Sequence, residues 1–197
     1  MKKYTIKSIL ILAIGCMLHS CLDLDPKDQI ADGNYWQEAS DFKLFANQFY
    51  GWTRDFSNSV YDAPHSDKRS DLILDKSGTN VYSNGTNSIP TGDNNYTDNY
   101  NRIRQVNTLL QQADAYEQQA DIAISVGEAR FFRAYCYFNL VRAFGEVPLV
   151  TYKINDASEA NIPKTTADKI YEQIDTDLKT AEESLPETWS TEYTGRL

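Results

Sequence analysis

One long stretch decides the fold: residues 122–145 read IAISVGEARFFRAYCYFNLVRAFG. Apolar and small side chains recur in it at helical spacing and form one stripe. The members of this stripe are Val126, Ala129, Phe132, Cys136 and Leu140. Aromatic residues on either side widen the stripe, so the sequence predicts a helix that is buried on most sides. Gly145 suits the position that follows such a helix, and Pro148 forbids its continuation.

Three other helices are predicted from the same periodicity. They cover approximately residues 41–54, with Ser40 as the N-cap, residues 100–119 and residues 166–185. Two long helices joined by a short turn, and then another after an interval, favour helix pairs packed as in tetratricopeptide (TPR) repeats. The predicted fold class is therefore mainly α, a TPR-like helical region with long irregular loops.

Two irregular segments separate the predicted helices. Residues 77–101 contain seven asparagines, three glycines and three tyrosines without any apolar period, which predicts a long loop. Residues 152–163 form the other irregular connection. Because a long ordered loop inside a compact domain is often functional, the first loop is where a binding site is expected.

The first twenty residues are typical of an export signal. They contain three lysines and no acidic residue, and residues 9–18 form an apolar run. Ten helical residues rise about 15 Å, which is half of the hydrocarbon core of a bilayer, so this run does not span a membrane. Residues 1–20 are therefore predicted to be a signal peptide.

The residues around the end of that signal resemble a bacterial lipobox. Leu18 stands at −3, Ser20 at −1 and Cys21 at +1. The resemblance implies cleavage before Cys21 and lipidation of that cysteine, which makes residues 21–40 a lipidated N-terminus and tether. The alternative is an ordinary signal peptide followed by an unmodified Cys21.

Charge and composition exclude several classes of function. The chain of 197 residues carries −9, and since residues 1–20 contribute +3, the remainder carries −12. Phosphate backbones repel such a surface, so nucleic acid is not expected as a partner. Beyond residue 20 there are one histidine, His65, and two cysteines, which is too few for a zinc site of the usual kind. P-loop, dinucleotide and EF-hand patterns are absent, so no cofactor and no metal site are predicted. Calcium binding by the oxygens of Asp93, Asp98 and the nearby asparagines is left open by the sequence.

Four residues are candidates for ligand binding. Tyr82 and Tyr96 lie among asparagines, including Asn94, in the predicted loop, and Arg69 lies in the charged run HSDKRSD at residues 65–71. Sugars are bound by aromatic faces together with amide and charged groups that bond to their hydroxyls. The alternatives are that the tyrosine rings cover helix ends and that the charged run is a solvated or ion-paired turn.

Four stretches of the sequence, in order, resemble one family. They are Tyr35-Trp36 after the acidic tether, residues 100–107, residues 127–140 together with 144–150, and residues 170–186. The sequence is similar to the N-terminal part of SusD-like (RagB/SusD) outer-membrane lipoproteins. Residues 41–197 are accordingly interpreted as the SusD-like N-terminal helical domain. Gly195-Arg196 resembles the start of the family's next helix, so a truncation is expected there.

The resemblance implies a non-enzymatic lipoprotein that is anchored in the cell outer membrane and exposed at the surface. Such a protein captures glycans or oligosaccharides and delivers them to a SusC-like TonB-dependent transporter. Two other functions remain open on the sequence. A helical TPR-like scaffold that binds a protein partner would explain the helices but not the tyrosine-bearing loop. A glycosidase would need two carboxylates roughly 5–10 Å apart across the substrate, and the sequence singles out no such pair.

Overall fold

The computed structural model describes residues 35–53, 85, 86, 88 and 91–189. The chain divides into two compact units, Met1–Gln37 and Glu38–Leu197. In the first unit the described residues are 35–37, where the rings of Tyr35 and Trp36 meet edge to face with centroids 5.0 Å apart. The predicted signal peptide and the predicted lipidation site, Cys21, lie outside the described residues.

The described part of the second unit is mainly α-helical, as the sequence predicts. Its helices are α1 (Ala39–Asn47), α2 (Asn94–Ala115), α3 (Gln119–Phe144) and α4 (Ala167–Ser184). Short 3-10 helices cover Gln48–Trp52 and Ala157–Ala160. Two strands, β1 (Val147–Pro148) and β2 (Lys164–Thr165), pair antiparallel with Val147 opposite Thr165.

Helix α3 is the centre of this unit and packs against α1, α2 and α4. Four of the five stripe residues are buried and Val126 is partly exposed; Phe132, in the middle, has no exposed surface. The rings of Phe49 and Trp52, which follow α1, each lie with their centroids 5.8 Å from that of Phe132. Aromatic packing therefore holds the first helical segment on α3, with each such ring pair contributing about 0.5–1.5 kcal/mol beyond its buried area. Phe138, which the sequence places beside the stripe, is instead 44% exposed.

The end of α3 follows the prediction. Gly145 has φ +69°, a conformation that residues with a Cβ rarely adopt, and it ends the helix directly after Phe144. The chain then enters β1, where the hydroxyl of Tyr100 on α2 donates a hydrogen bond to the carbonyl oxygen of Pro148 at 2.7 Å. This bond ties the turn after α3 to the neighbouring helix.

Helices α3 and α4 approach each other closely at Gly127. A Cβ at this position would lie 2.8 Å from Cβ of Ser184 and 3.3 Å from Cγ of Leu185. Both neighbours belong to the end of α4, so the glycine is required for the helices to pack at this distance.

The start of α2 corrects the sequence analysis. The predicted loop of residues 77–101 is wrong for its last part, because α2 begins at Asn94 and contains Tyr96. Asp93 caps the helix: its Oδ1 accepts from the backbone N–H of Asn95 at 2.8 Å and from that of Tyr96 at 3.4 Å. The first two turns are rich in asparagine and contain few apolar residues, so apolar spacing does not indicate a helix there.

The predicted start of α1 is also corrected. Ser40 is not the N-cap, because the helix begins at Ala39 after Glu38. The carboxylate of Asp41 accepts a hydrogen bond from the backbone N–H of Glu38 at 2.8 Å, which satisfies a donor at the helix start. Within the part of the chain that the structure describes, no helix combines the length and apolarity that a membrane span requires.

Candidate functional site

A buried charged cluster joins α3 to α4. Asp177 is fully buried, and its Oδ2 accepts from Nε of Arg133 at 2.8 Å. Its Oδ1 accepts from Nη2 of Arg133 at 2.7 Å and from Nη1 of Arg130 at 3.2 Å. Arg133 is 2% exposed, whereas the side chain of Arg130 is 31% exposed. Because the Arg133–Asp177 pair is bidentate, it combines strong hydrogen bonds with a fixed geometry.

The cluster continues to the main chain that follows β1. Nη1 of Arg133 donates to Oδ1 of Asn107 at 3.0 Å and to the carbonyl oxygen of Thr151 at 3.1 Å. Nδ2 of Asn107 donates to the carbonyl oxygens of Val150 and Tyr152, each at 3.0 Å. Residues 150–152 are therefore held by side chains of the helical core, although they belong to no helix or strand.

Tyr137 supplies the remaining bonds to this segment. Its hydroxyl donates to the carbonyl oxygen of Val150 at 2.9 Å and accepts from the backbone N–H of the same residue at 2.6 Å. Burial raises the pKa of the Tyr137 hydroxyl well above its usual value of 10.0. The group thus stays protonated and serves as both donor and acceptor at neutral pH.

An open, mainly apolar cavity of about 390 Å³ lies between α2 and the segment after β1. Its apolar walls include Ile103, Val150 and Ile154, and polar side chains converge on it from both sides. The polar and aromatic lining residues are Tyr100, Asn101, Arg104, Asn107, Tyr152, Asn155 and Asp156. An apolar cleft with a few converging polar groups is the usual form of a small-ligand site.

A second, more polar cavity of about 660 Å³ also borders Tyr152. Its charged lining residues are Asp114, Arg130, Arg133, Lys153 and Glu159. The two cavities share Asn107, Tyr152 and Asn155. Because Tyr152 borders both cavities and is 51% exposed, it is available to a ligand in either of them. We refer to this pair of cavities as the Tyr152 cleft.

Asp156 lies at the apolar end of the cleft. Its Oδ1 accepts from the backbone N–H of Ser158 at 2.7 Å, and this bond lowers the pKa of the carboxyl group. A carboxylate held ionised in this way can accept hydrogen bonds from hydroxyl groups. It is poorly suited to act as a general acid, which must be protonated near neutral pH.

The predicted site residues have different positions. Asn94 is exposed at the start of α2, and Tyr96, two residues further along the helix, is half-buried. The ring of Tyr96 lies 4.8 Å from that of Tyr100 and 5.2 Å from that of Phe144, so much of it is used in packing. Since Tyr100 lines the apolar cavity, Tyr96 lies next to the Tyr152 cleft. Tyr82 and Arg69 lie outside the described residues.

Sequence reasoning missed the two residues on which the cleft depends most. Tyr152 lies in the second irregular connection, among Asn155 and other polar residues, and this composition matches that of the predicted tyrosine loop. Asp177 lies seven residues after Ile170 and three after Ile174, on the buried stripe of α4. A carboxylate on an apolar stripe indicates a buried ion pair, and this signal was present in the sequence.

Other chemically reactive groups of α3 are engaged in packing. Glu128 is fully buried and accepts a hydrogen bond from the hydroxyl of Tyr50 at 2.7 Å. Burial raises the pKa of the Cys136 thiol to about 12, which makes it unreactive at neutral pH. Among the described residues, no three His, Cys, Asp or Glu side chains lie close enough together to hold a metal ion.

These features define a helical protein with an aromatic and polar cleft at the surface. A family model described as "Starch-binding associating with outer membrane" matches residues 65–196. The chain therefore belongs to the SusD-like family. It is 45% identical over 62 residues to SusD-like protein P2 of Formosa agariphila, a match that covers 31% of this chain and 12% of that protein.

Solved structures share the fold. A SusD-like protein from Bacteroides fragilis matches with a TM-score of 0.67 and 24% identity, over 87% of this chain and 34% of that chain. A laminarin-binding SusD-like protein matches with a TM-score of 0.60 and 27% identity, over 81% of this chain and 36% of that chain. The fold is thus the TPR-like helical fold of SusD-like proteins. The chain spans about a third of the length of these relatives.

Proposed function

We propose that this protein binds glycans or oligosaccharides, and that the Tyr152 cleft is part of the binding surface. The observation that carries this proposal is that Tyr152 is exposed and borders both cavities. Sugar rings stack their C–H faces on aromatic rings, while Asn101, Asn155 and Asp156 supply amide and carboxylate groups for the hydroxyls. The family description and the laminarin-binding relative support a carbohydrate as the ligand.

The residues predicted from the sequence extend the proposed surface. Tyr96 lies beside Tyr100, and Asn94 is exposed at the same end of α2. Tyr82 and Arg69 are also proposed to contact the glycan, because they lie in asparagine-rich and charged stretches of the sequence. Binding, rather than hydrolysis, is the proposed activity.

The proposed setting is the surface of the cell outer membrane. A lipid on Cys21 would anchor the protein, and a SusC-like TonB-dependent transporter would receive the glycan. The lipobox resemblance and the family's association with the outer membrane support this setting. The chain contains the residues for the anchor, whereas the transporter is inferred from the family alone.

A scaffold that binds a protein partner is the second candidate. Exposed large apolar side chains favour it: Leu44 is 63% exposed, Phe138 44% and Ile124 41%. Contiguous apolar surface is typical of protein interfaces, although single exposed residues are common on any protein.

Titration of the purified protein with glycans separates these candidates. The panel is maltoheptaose, laminarihexaose, xylohexaose and mannohexaose, and the heat of binding is measured by calorimetry. We expect at least one oligosaccharide to bind and to be recovered uncleaved. Failure of this neutral panel and of anionic oligosaccharides to bind would count against the glycan proposal and leave the scaffold as the remaining candidate. Release of shorter products would instead indicate a glycosidase.

A further inference from the structure

Two arginines share one carboxylate beneath the polar cavity. The three hydrogen bonds that Asp177 accepts come from Arg133, which gives two, and from Arg130, which gives one. One carboxylate neutralises one guanidinium group. The buried cluster therefore keeps one positive charge. Both arginines line the polar cavity, and Arg130 is the more exposed of the two.

The guanidinium group of Arg130 has unused donors. Of its five N–H groups, one bonds to Asp177. Its Nε is buried and has no hydrogen-bond partner among the described residues. A buried donor without a partner destabilises the protein, so its presence calls for an explanation. A bound ligand that reorients the side chain would supply the missing acceptors.

Carboxylates at the rim of the cavity restrict what can bind there. Asp114 and Glu159 line the cavity, and neither forms an ion pair with Arg130. Oε2 of Glu159 accepts from the backbone N–H of Asn155 at 3.2 Å. Both residues are exposed, so water and salt weaken their effect on Arg130. They would nevertheless repel a ligand that carries several negative charges.

We propose that the Arg130 side of the Tyr152 cleft binds a single anionic group on a sugar, either a carboxylate or a sulfate ester. This inference rests on the proposed glycan binding and adds the chemical class of the ligand. Because Tyr152 and Asn155 border both cavities, a sugar ring on Tyr152 would place one substituent in the polar cavity. Guanidinium groups bind carboxylate and sulfate through paired, charge-assisted hydrogen bonds.

Three disaccharides that differ in one group test this inference. Cellobiose, its 6′-sulfate and cellobiouronic acid share the same rings and carry a hydroxymethyl, a sulfate ester and a carboxylate at the same carbon. Their affinities for the full chain are measured by calorimetry at low and high NaCl. We expect at least one anionic disaccharide to bind about tenfold more tightly than cellobiose, with the difference reduced by salt. Which of the two binds distinguishes a uronate from a sulfated sugar.

Variants test whether the preference for the anionic sugar arises at Arg130 in the polar cavity. Arg130→Gln should remove the preference for the anionic sugar, and Arg130→Lys should keep part of it. Asp114→Asn removes a rim carboxylate and should increase the preference. Arg142→Gln is the matched control, because Arg142 is an exposed arginine on the same helix, away from the cleft. Thermal unfolding of each variant checks that the fold is kept.

The outcomes separate this inference from the proposed function. Equal affinities for the three disaccharides, or a preference that survives Arg130→Gln, would overturn the anionic site. So would a failure of both anionic disaccharides to bind. If maltoheptaose or laminarihexaose still binds in those cases, the glycan proposal stands by itself. If no neutral or anionic sugar binds, both proposals fail.

Discussion

Arg133 on α3 and Asp177 on α4 form a buried ion pair through two hydrogen bonds of 2.7 and 2.8 Å. Neither side chain is more than 2% exposed. The same arginine also bonds to Asn107 and to the main chain at Thr151. One side chain therefore joins α2, α3, α4 and the segment that borders the Tyr152 cleft.

Removing the charge of Asp177 should destabilise the protein strongly. Asp177→Asn leaves two arginines without their counter-charge in the interior, and a loss of about 3–5 kcal/mol is expected. Urea unfolding followed by circular dichroism measures it. Asp175→Asn is the control, because Asp175 forms an exposed pair with Lys179 and should change the midpoint little. Similar losses of stability in the two variants would show that the buried ion pair stabilises the protein no more than the exposed pair does.

Adding one methyl group at Gly127 should force α3 and α4 apart. The new Cβ would lie 2.8 Å from Cβ of Ser184, which belongs to the partner helix and cannot rotate away. We expect Gly127→Ala to cost about 1–3 kcal/mol in the free energy of unfolding. Gly92→Ala is the control, since nothing lies within 4 Å of the Cβ that it adds. An unchanged melting temperature for Gly127→Ala would contradict the close approach.

Truncating Tyr152 should weaken glycan binding without affecting the fold. A stacked aromatic ring contributes about 0.5–1.5 kcal/mol beyond its buried area, so Tyr152→Ala is expected to lose roughly tenfold in affinity. Tyr171→Ala serves as the control, because Tyr171 is 46% exposed on α4 and does not line the cleft. Calorimetry with the best oligosaccharide of the panel measures both. If Tyr152→Ala binds the oligosaccharide as tightly as the wild type does, Tyr152 is not part of the binding site.

Alkaline pH should lower stability. Cys136 has a pKa of about 12 in the folded protein against an ordinary value of 9.0, and burial also raises the pKa of Tyr137. The unfolded chain releases these protons at lower pH than the folded chain does. Stability is therefore fully kept below pH 9 and falls as the pH rises towards 12.

The Cys136→Ala variant isolates the contribution of the thiol. One proton corresponds to about 1.4 kcal/mol per pH unit, and the variant should lose stability less steeply by that amount above pH 9. Urea unfolding at pH 8, 9, 10 and 11 measures the slope. Identical slopes for the wild type and the variant would show that the thiol titrates normally.

The lipid anchor is tested by replacing Cys21. Cys21→Ala should move the protein from the membrane fraction to the soluble fraction, because acyl chains contribute roughly 0.8 kcal/mol of membrane binding per buried CH₂ group. Fractionation followed by a carbonate wash measures the distribution. Retention of the variant in the washed membranes would rule out Cys21 as the anchor.

The sequence was informative where apolar spacing and helix-ending residues determine the structure. The stripe around Phe132 and the end of α3 at Gly145 were predicted correctly. The start of α2 was missed because a single capping aspartate, Asp93, begins a helix whose first turns are polar. In α4, Tyr171 and Leu178 share the helical spacing of the buried residues and yet are 46% and 41% exposed, so spacing alone does not determine which face is buried.

The cleft was harder to predict, because it depends on residues that are far apart in the sequence. Asn107 and Arg133 lie 26 residues apart, and Arg133 and Asp177 lie 44 residues apart. Spacing along the chain cannot show that these side chains meet. The position of Tyr152 in the cleft depends on these side chains, because Asn107 and Arg133 bond to the main chain at Tyr152 and Thr151.

The hydrogen bonds to residues 150–152 have a consequence for how this segment can vary. All of them end on main-chain atoms, and they come from Asn107, Arg133 and Tyr137 in the core. The segment is therefore held by side chains of the helical core and not by hydrogen bonds of its own side chains. A substitution at Tyr152 can change the group that this part of the cleft presents while the bonds to its main chain remain. A single substitution can thus alter the chemistry of the cleft without rebuilding the segment.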